Sequence, residues 1–319
     1  MIAKDIFLCE FPIKYLNDEL DGIITGDLIL FGMGSGLGKS TMSRLITNNA
    51  TFQSCPVVLY SLEDKPDTMD KKEIYLEYIL STGSDDTFRK WKIKYSKNPK
   101  EYEQYTRKWV QRLSMKDKET GLKLLNYHEY VEPTNNELLQ KVIGKIEEEV
   151  AMGYKLFIID HLDAGLDPTE TPAGMKRVMD TLWATVCKHN IAIIAFSQLA
   201  STRNKEAITP SLDDLAGSKS KGKVSNMVIS MARDYDGKYP NISDTEPTYC
   251  RIVKDRDDGR KSLGIVFFEK GHYLPNYFKF SCDESGMSVD GMHVKDFRKK
   301  HHEGKLKGQP NYVELTEIK

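Results

Sequence analysis

The chain has 319 residues, 39% of them hydrophobic and 29% charged, with a formal net charge of −1. That length accommodates one large α/β domain or two small ones, and the composition excludes disorder of the whole chain and an overall basic nucleic-acid binder, so any surface for nucleic acid has to be local. Five cysteines, Cys9, Cys55, Cys187, Cys250 and Cys282, lie far apart with no CxxC pair and no histidines at metal-ligand spacing, which reads as a reducing, cytoplasmic setting without structural zinc. With no amino-terminal signal pattern and no apolar stretch of spanning length, no membrane partner is expected.

Residues 1–20 read as a short lead-in with Phe7, Leu8, Phe11, Ile13, Tyr15 and Leu16 as packing residues, and turn signals follow at Asp21-Gly22 and Thr25-Gly26-Asp27. Four apolar residues from Leu28 then read as a buried parallel strand that runs into Met33-Gly34-Ser35-Gly36-Leu37-Gly38-Lys39-Ser40-Thr41, with a helical pattern from Met42. This is a phosphate-binding loop in its expected context. Glycines 34, 36 and 38 leave room for backbone N–H groups to close around a polyphosphate, Lys39 reaches the β- and γ-phosphates, and the Ser40 hydroxyl holds Mg²⁺. The strict pattern has glycine where this chain has Met33. A second strand, Val57 to Ser61, ends in Leu62-Glu63-Asp64, and Glu63 there reads either as a general base for water or as a solvated strand-end carboxylate.

Residues 66–121 carry helical patterns, with eleven Lys/Arg against five Asp/Glu between Ser84 and Lys118 and with Trp91, Tyr95, Tyr102, Tyr105 and Trp109 interleaved. Such a mixture could stack and neutralise a single strand, but an amphipathic excursion with its aromatics on the core is the preferred reading. An amphipathic helix follows over 135–153, then the strand Leu156-Phe157-Ile158-Ile159-Asp160, which aims a carboxylate at the Mg²⁺ shell as a Walker B segment does. A helix over 172–189 and a strand over 191–196 lead to Ser197-Gln198. Between Leu212 and Lys223, the lysines at 219, 221 and 223 alternate with small residues and read as a mobile loop that touches phosphates or as a plain solvated loop. Strands over 227–231 and 249–253, a turn at Asp258-Gly259 and a strand over 263–268 predict a carboxyl-terminal hairpin, with an edge strand at 277–281 and a basic polar tail from Lys295.

These motifs resemble the RecA-like motor domain of the DnaB-type hexameric replicative helicases, most of all the helicase half of short-tailed phage primase-helicases and Twinkle. The resemblance runs from about Tyr15 to about Gly271 and includes the phage form of the loop, which also lacks the first glycine. It implies an α/β fold, a RecA-like P-loop NTPase with a mostly parallel central sheet flanked by helices and an antiparallel carboxyl-terminal hairpin. The domain plan expected is a lead-in over 1–20 that could serve as a subunit-docking arm, a core over 21–290 and a tail over 291–319.

By the same resemblance Glu63 is the catalytic base and Asp160, with Ser40, holds the metal. Gln198 is the γ-phosphate sensor, and Arg233 flanks the nucleotide base beside the loop residues 34–41. Lys254 and Arg256 form a Lys-x-Arg finger inserted into a neighbour's site. Lys219, Lys221 and Lys223 occupy the approach to a central-channel loop. The implied function is an ATP-dependent (or other NTP- or dNTP-dependent) DNA helicase or single-stranded DNA translocase in DNA replication. It would work as a homo-oligomeric ring, expected to be a hexamer, with Mg²⁺, single-stranded DNA and a separate primase or loader as partners. The alternatives are a KaiC-like nucleotide-switched clamp or scaffold and a small-molecule kinase.

Overall fold

The structure, a computed structural model, describes residues 5–34, 36–63, 67–84, 86–129, 136–165, 172–199, 212, 215, 219–233, 245–259, 262–269, 272–283, 286–289 and 292–293. For Lys219, Arg233 and every described residue beyond Ser262 the description is of the backbone alone.

An eleven-stranded sheet organises the chain. Its parallel part contains β3 (Leu28–Met33), β4 (Val57–Ser61), β5 (Leu125–Glu129), β6 (Leu156–Asp160), β7 (Ala192–Gln198) and β8 (Met227–Arg233), in the spatial order β5-β4-β6-β7-β3-β8. Every residue of β3, β4 and β6 is buried. That is why these strands read as unbroken apolar runs: a parallel strand covered on both faces has no polar side to alternate with. The sheet continues antiparallel through β9 (Thr245–Asp255), β10 (Ser262–Glu269), β11 (His272–Asp283), β12 (Gly286–Val289) and β13 (Met292–His293). The expected hairpin is thus the start of a five-strand antiparallel extension, with Gly259 at φ +67° in its turn.

Alternate residues of each parallel strand serve two cores. One core packs Phe31, Leu59 and Ile158 against Met42, Ile46 and Ala50 of α2 (Lys39–Phe52). The other packs Leu30, Val58 and Ile159 against α6 (Asn136–Met152) and α7 (Pro172–His189). Helix α1 (Lys14–Leu20) lies on the sheet extension, where Tyr15 Oη and Ser262 Oγ share a 2.6 Å hydrogen bond. The strand β1 (Phe7–Cys9) pairs with β2 (Ile23–Ile24). With Phe11, Ile13, Tyr15 and Leu16 buried in its own protomer, the described lead-in is part of this core.

The excursion between β4 and β5 is formed by α3 (Thr68–Thr82), α4 (Phe88–Lys97) and α5 (Glu103–Ser114). Its aromatics face inward. Trp91 and Trp109 are 0% and 2% exposed, and Tyr75, Phe88, Tyr95 and Tyr102 surround Trp91. They are not available to stack on bases. Buried Glu73 ties the excursion to α2 by accepting from Asn48 Nδ2 at 2.9 Å and from Arg44 and Arg112 at 3.4 Å each.

One loop expectation is corrected. The segment of alternating lysines forms a short helix, α8 (Lys219–Val224), and Lys221 is fully buried. Small residues and lysine suit a short helix as well as a loop, and the Lys221 ammonium pairs with Asp163 instead of facing water. Among the described residues no helix is long and apolar enough to cross a membrane.

Candidate nucleotide site

Parallel strands deliver their carboxyl ends to one edge of the sheet, and register decides which residues meet there. Met33 pairs with Gln198 and Ser61 with Asp160. The loop after β3, the Glu63 turn after β4, Asp160 at the end of β6 and Gln198 at the end of β7 therefore share that edge.

The loop is shaped for a polyphosphate. Gly36 and Gly38 have φ of +71° and +94°, which a side chain resists, and a Cβ added at Gly34 or Gly36 would meet nothing within 4 Å. The protein leaves that space open, and α2 begins at Lys39 with its amino-terminal N–H groups and dipole facing it. Leu37 is buried beneath the loop, Lys39 is largely buried, and Ser40 and Thr41 lie in the first turn of α2. Ser35 lies outside the described residues.

Ser43, one turn after Ser40, donates to Asp160 Oδ2 at 2.8 Å and to Ser40 O at 3.2 Å, holding the carboxylate against that first turn. A serine hydroxyl and an aspartate carboxylate are hard oxygen donors that suit Mg²⁺. Two protein oxygens leave most of an octahedral Mg²⁺ shell to phosphate and water oxygens.

Glu63 is exposed, and its Oε2 lies 3.0 Å from Nε2 of buried His161. Asp163, two residues further on, accepts the Gln198 backbone N–H at 2.7 Å and the Ser197 hydroxyl at 3.0 Å through Oδ2. Its Oδ1 pairs with Lys221 Nζ. Burial alone would push the Asp163 carboxyl upward, but the nearby His161 ring, hydrogen bonds from Lys221 and Gln198 and the lysine's charge outweigh it and hold the group well below the ordinary carboxylate range. His161, Asp163 and Ser43 carry no role in the sequence reading. The signals were their positions, one and three residues after Asp160 and one turn after Ser40.

Lys254 and Arg256 are elsewhere. Because β9 runs antiparallel to β8, Lys254 pairs with Val228, near the amino end of β3, whose Ile29 pairs with Met227. The phosphate loop begins four residues along β3, about 13 Å away. The two cations do not converge on their own protomer's loop. Lys254 Nζ donates to the carbonyls of Gly222, Lys223 and Ser225, and Arg256 Nη2 donates to Lys223 O at 2.9 Å with its guanidinium 5.7 Å from the Trp183 ring centre. Burial, then the like charge of Arg256, pushes Lys254 down to about 8. Arg233 ends β8, Lys219 begins α8, and the side chains of both lie outside the described residues. Lys223 is exposed, whereas buried Lys221 does not face solvent.

The sequence pattern of the DnaB-like helicase C-terminal domain matches residues 10–274. Among solved structures, one of an ATPase domain superposes with a TM-score of 0.65 at 18% identity, covering 82% of this chain and 89% of that one. A DnaB-like replicative helicase, solved in a study of its interactions with primase, gives a TM-score of 0.61 at 17% identity and covers 82% of this chain. This chain spans 62% of that protein, and at these identities the likeness is one of fold. No curated protein matches.

Proposed function

We infer the roles of the site residues from the premise that this chain belongs to the family of DnaB-like helicase C-terminal domains, and is therefore an NTP-hydrolysing helicase motor of the replicative type. The observation that carries the assignment is the meeting of the glycine loop, Glu63, Asp160 and Gln198 at one sheet edge, with Lys254 and Arg256 at the other.

The loop N–H groups from Gly34 to Thr41 and the Lys39 ammonium bind the β- and γ-phosphates, and Arg233 flanks the base. Ser40 and Asp160 would hold Mg²⁺, whose charge would neutralise that of the phosphate oxygens. Glu63 takes the proton of the attacking water, and His161, at hydrogen-bond distance, orients its carboxylate. Gln198 reads the γ-phosphate from the end of β7. Since Lys254 and Arg256 face away from their own loop, they stabilise charge in a neighbour's site, and the hydrolytic site is complete only between two protomers. The protomers form a ring, with six as the expected number, that passes single-stranded DNA, and exposed Lys223 is available to its phosphates. A primase or loader is a further expected partner.

The test uses two substitutions with different expected signatures. Lys39→Ala removes both nucleotide binding and DNA-stimulated hydrolysis, whereas Glu63→Gln keeps binding of a fluorescent ATP analogue and loses turnover. Retention of DNA-stimulated hydrolysis by Lys39→Ala would overturn the assignment.

A further inference from the structure

Helix α8 is about 9 Å long over its six residues, and it is held from two sides: the Lys221 side chain reaches the nucleotide edge, and the carbonyls at its carboxyl end receive the cations of β9. At the nucleotide edge Lys221 is fully buried, its Nζ bonded to Asp163 Oδ1 and, at 3.0 Å, to Ser197 Oγ. The other Asp163 oxygen takes the backbone N–H of Gln198. At the carboxyl end of the helix the carbonyls of Gly222, Lys223 and Ser225 match the three N–H groups of Lys254 one for one, and Lys223 O also receives Arg256. Cations suit the carboxyl end of a helix, where carbonyls lack partners.

An ion pair whose lysine is fully buried is a poor source of net stability, because desolvation offsets the attraction. What the pair supplies is register. A displacement of Asp163 or of the Gln198 strand end carries Lys221 with it, and α8 carries the carbonyls on which Lys254 and Arg256 rest.

We infer that the Asp163–Lys221 pair is a positioning device that ties the γ-phosphate-sensing end of β7 in one protomer to the cations that protomer presents to the next. This rests on the reading that Lys254 and Arg256 act in a neighbour's site. Occupancy of a protomer's own site and the reach of its cations are then coupled free energies, and each biases the other. The two cations also differ. All three Lys254 donors are engaged on carbonyls at the carboxyl end of α8 and just past it, while among the described residues the Arg256 side chain donates through Nη2 alone and is exposed. Arg256 is the group that reaches and Lys254 the strut behind it.

The test is subunit mixing with the full chain. Lys221→Met combined with Asp163→Asn removes both charges and leaves an oxygen for the Gln198 N–H. Alone, this variant is expected to bind a fluorescent ATP analogue within about twofold of the unmodified chain and to lose at least tenfold in turnover. Lys39→Ala subunits have an inactive site and intact cations. Mixed in, they are expected to raise turnover at least fivefold above the sum of the two variants measured separately, because the defect lies in what the double variant offers its neighbour.

Full activity of the double variant, or a loss that Lys39→Ala subunits do not repair, would overturn the inference. Mixing Arg256→Ala with Lys39→Ala subunits is the control. If that mixture also stays inactive, the reading of cations acting between protomers fails, and the inference with it. If only the control recovers, the inference alone fails. Lys221→Gln with Asp163→Asn keeps a neutral hydrogen bond and serves if the first variant does not fold, with the same repair expected at smaller amplitude.

Discussion

Lys254 and Arg256 are two residues apart and make opposite demands on a mutagenesis experiment. Lys254 caps three carbonyls from a half-buried position, so Lys254→Met is expected to lower unfolding free energy by about 2 kcal/mol in a denaturant titration. Arg256 is exposed, and Arg256→Ala is expected to change stability by less than about 0.5 kcal/mol while removing turnover. Equal stability losses would contradict the division between strut and reaching group.

Asp27 gives a second prediction at this scale. Burial, opposed by hydrogen bonds from Asn226 and the Ile24 N–H and reinforced by Asp257 and Asp5, raises its carboxyl from 3.8 to about 6. A carboxyl with a raised folded-state pKa contributes stability that is fully present below its unfolded value and is lost as pH rises through the folded one. Stability relative to Asp27→Asn should therefore fall between about pH 4 and pH 6.5, by on the order of 2–3 kcal/mol. Parallel chemical denaturation of both proteins across that window measures it, and a flat difference would contradict it.

At the scale of elements, the excursion α3 to α5 is held by its aromatic core and by Glu73 with Arg112, while Arg89, Lys90 and Lys92 face outward. Trp91→Ala is expected to cost about 3–5 kcal/mol, and combined replacement of exposed Arg89, Lys90 and Lys92 by alanine under 1 kcal/mol, both read from denaturant midpoints. The inward aromatics were legible because they recur at helical spacing. The parallel strands were legible for a related reason: burial on both faces leaves an apolar run, and β4 and β6 fall on the residues expected. Strand β5, LNYHE, was not legible. It lies at the sheet edge, only Leu125 is fully buried, and its polar residues answer partners distant in sequence, such as Glu149 for Asn126 and His128. Helix α8 was misread for the same reason. A lysine between small residues looks solvated until Asp163, 58 residues earlier in the chain, is seen to face it.

For the whole molecule, the sheet separates what a protomer needs from what it gives. The nucleotide edge carries the loop, Glu63, Asp160 and Gln198, the opposite edge carries Lys254 and Arg256, and α8 joins the two. Motif residues at strand ends could be named from sequence because an apolar strand fixes where its last side chain arrives. That they divide between two edges depends on the antiparallel turn into β9, which spacing does not reveal. A site divided in this way predicts assembly. Mass photometry with a non-hydrolysable ATP analogue and single-stranded DNA is expected to show a closed oligomer, and specific turnover is expected to fall on dilution below its association range. A monomer with undiminished turnover would contradict shared sites.

The most direct measurement is strand separation on a forked duplex, scored beside the ATPase rate with and without single-stranded DNA, for the unmodified chain and for Lys39→Ala. The account predicts ATP-dependent unwinding and DNA-stimulated hydrolysis by the unmodified chain, both absent from Lys39→Ala. Hydrolysis that ignores DNA and separates no strands would contradict it, and would instead describe a nucleotide-switched clamp.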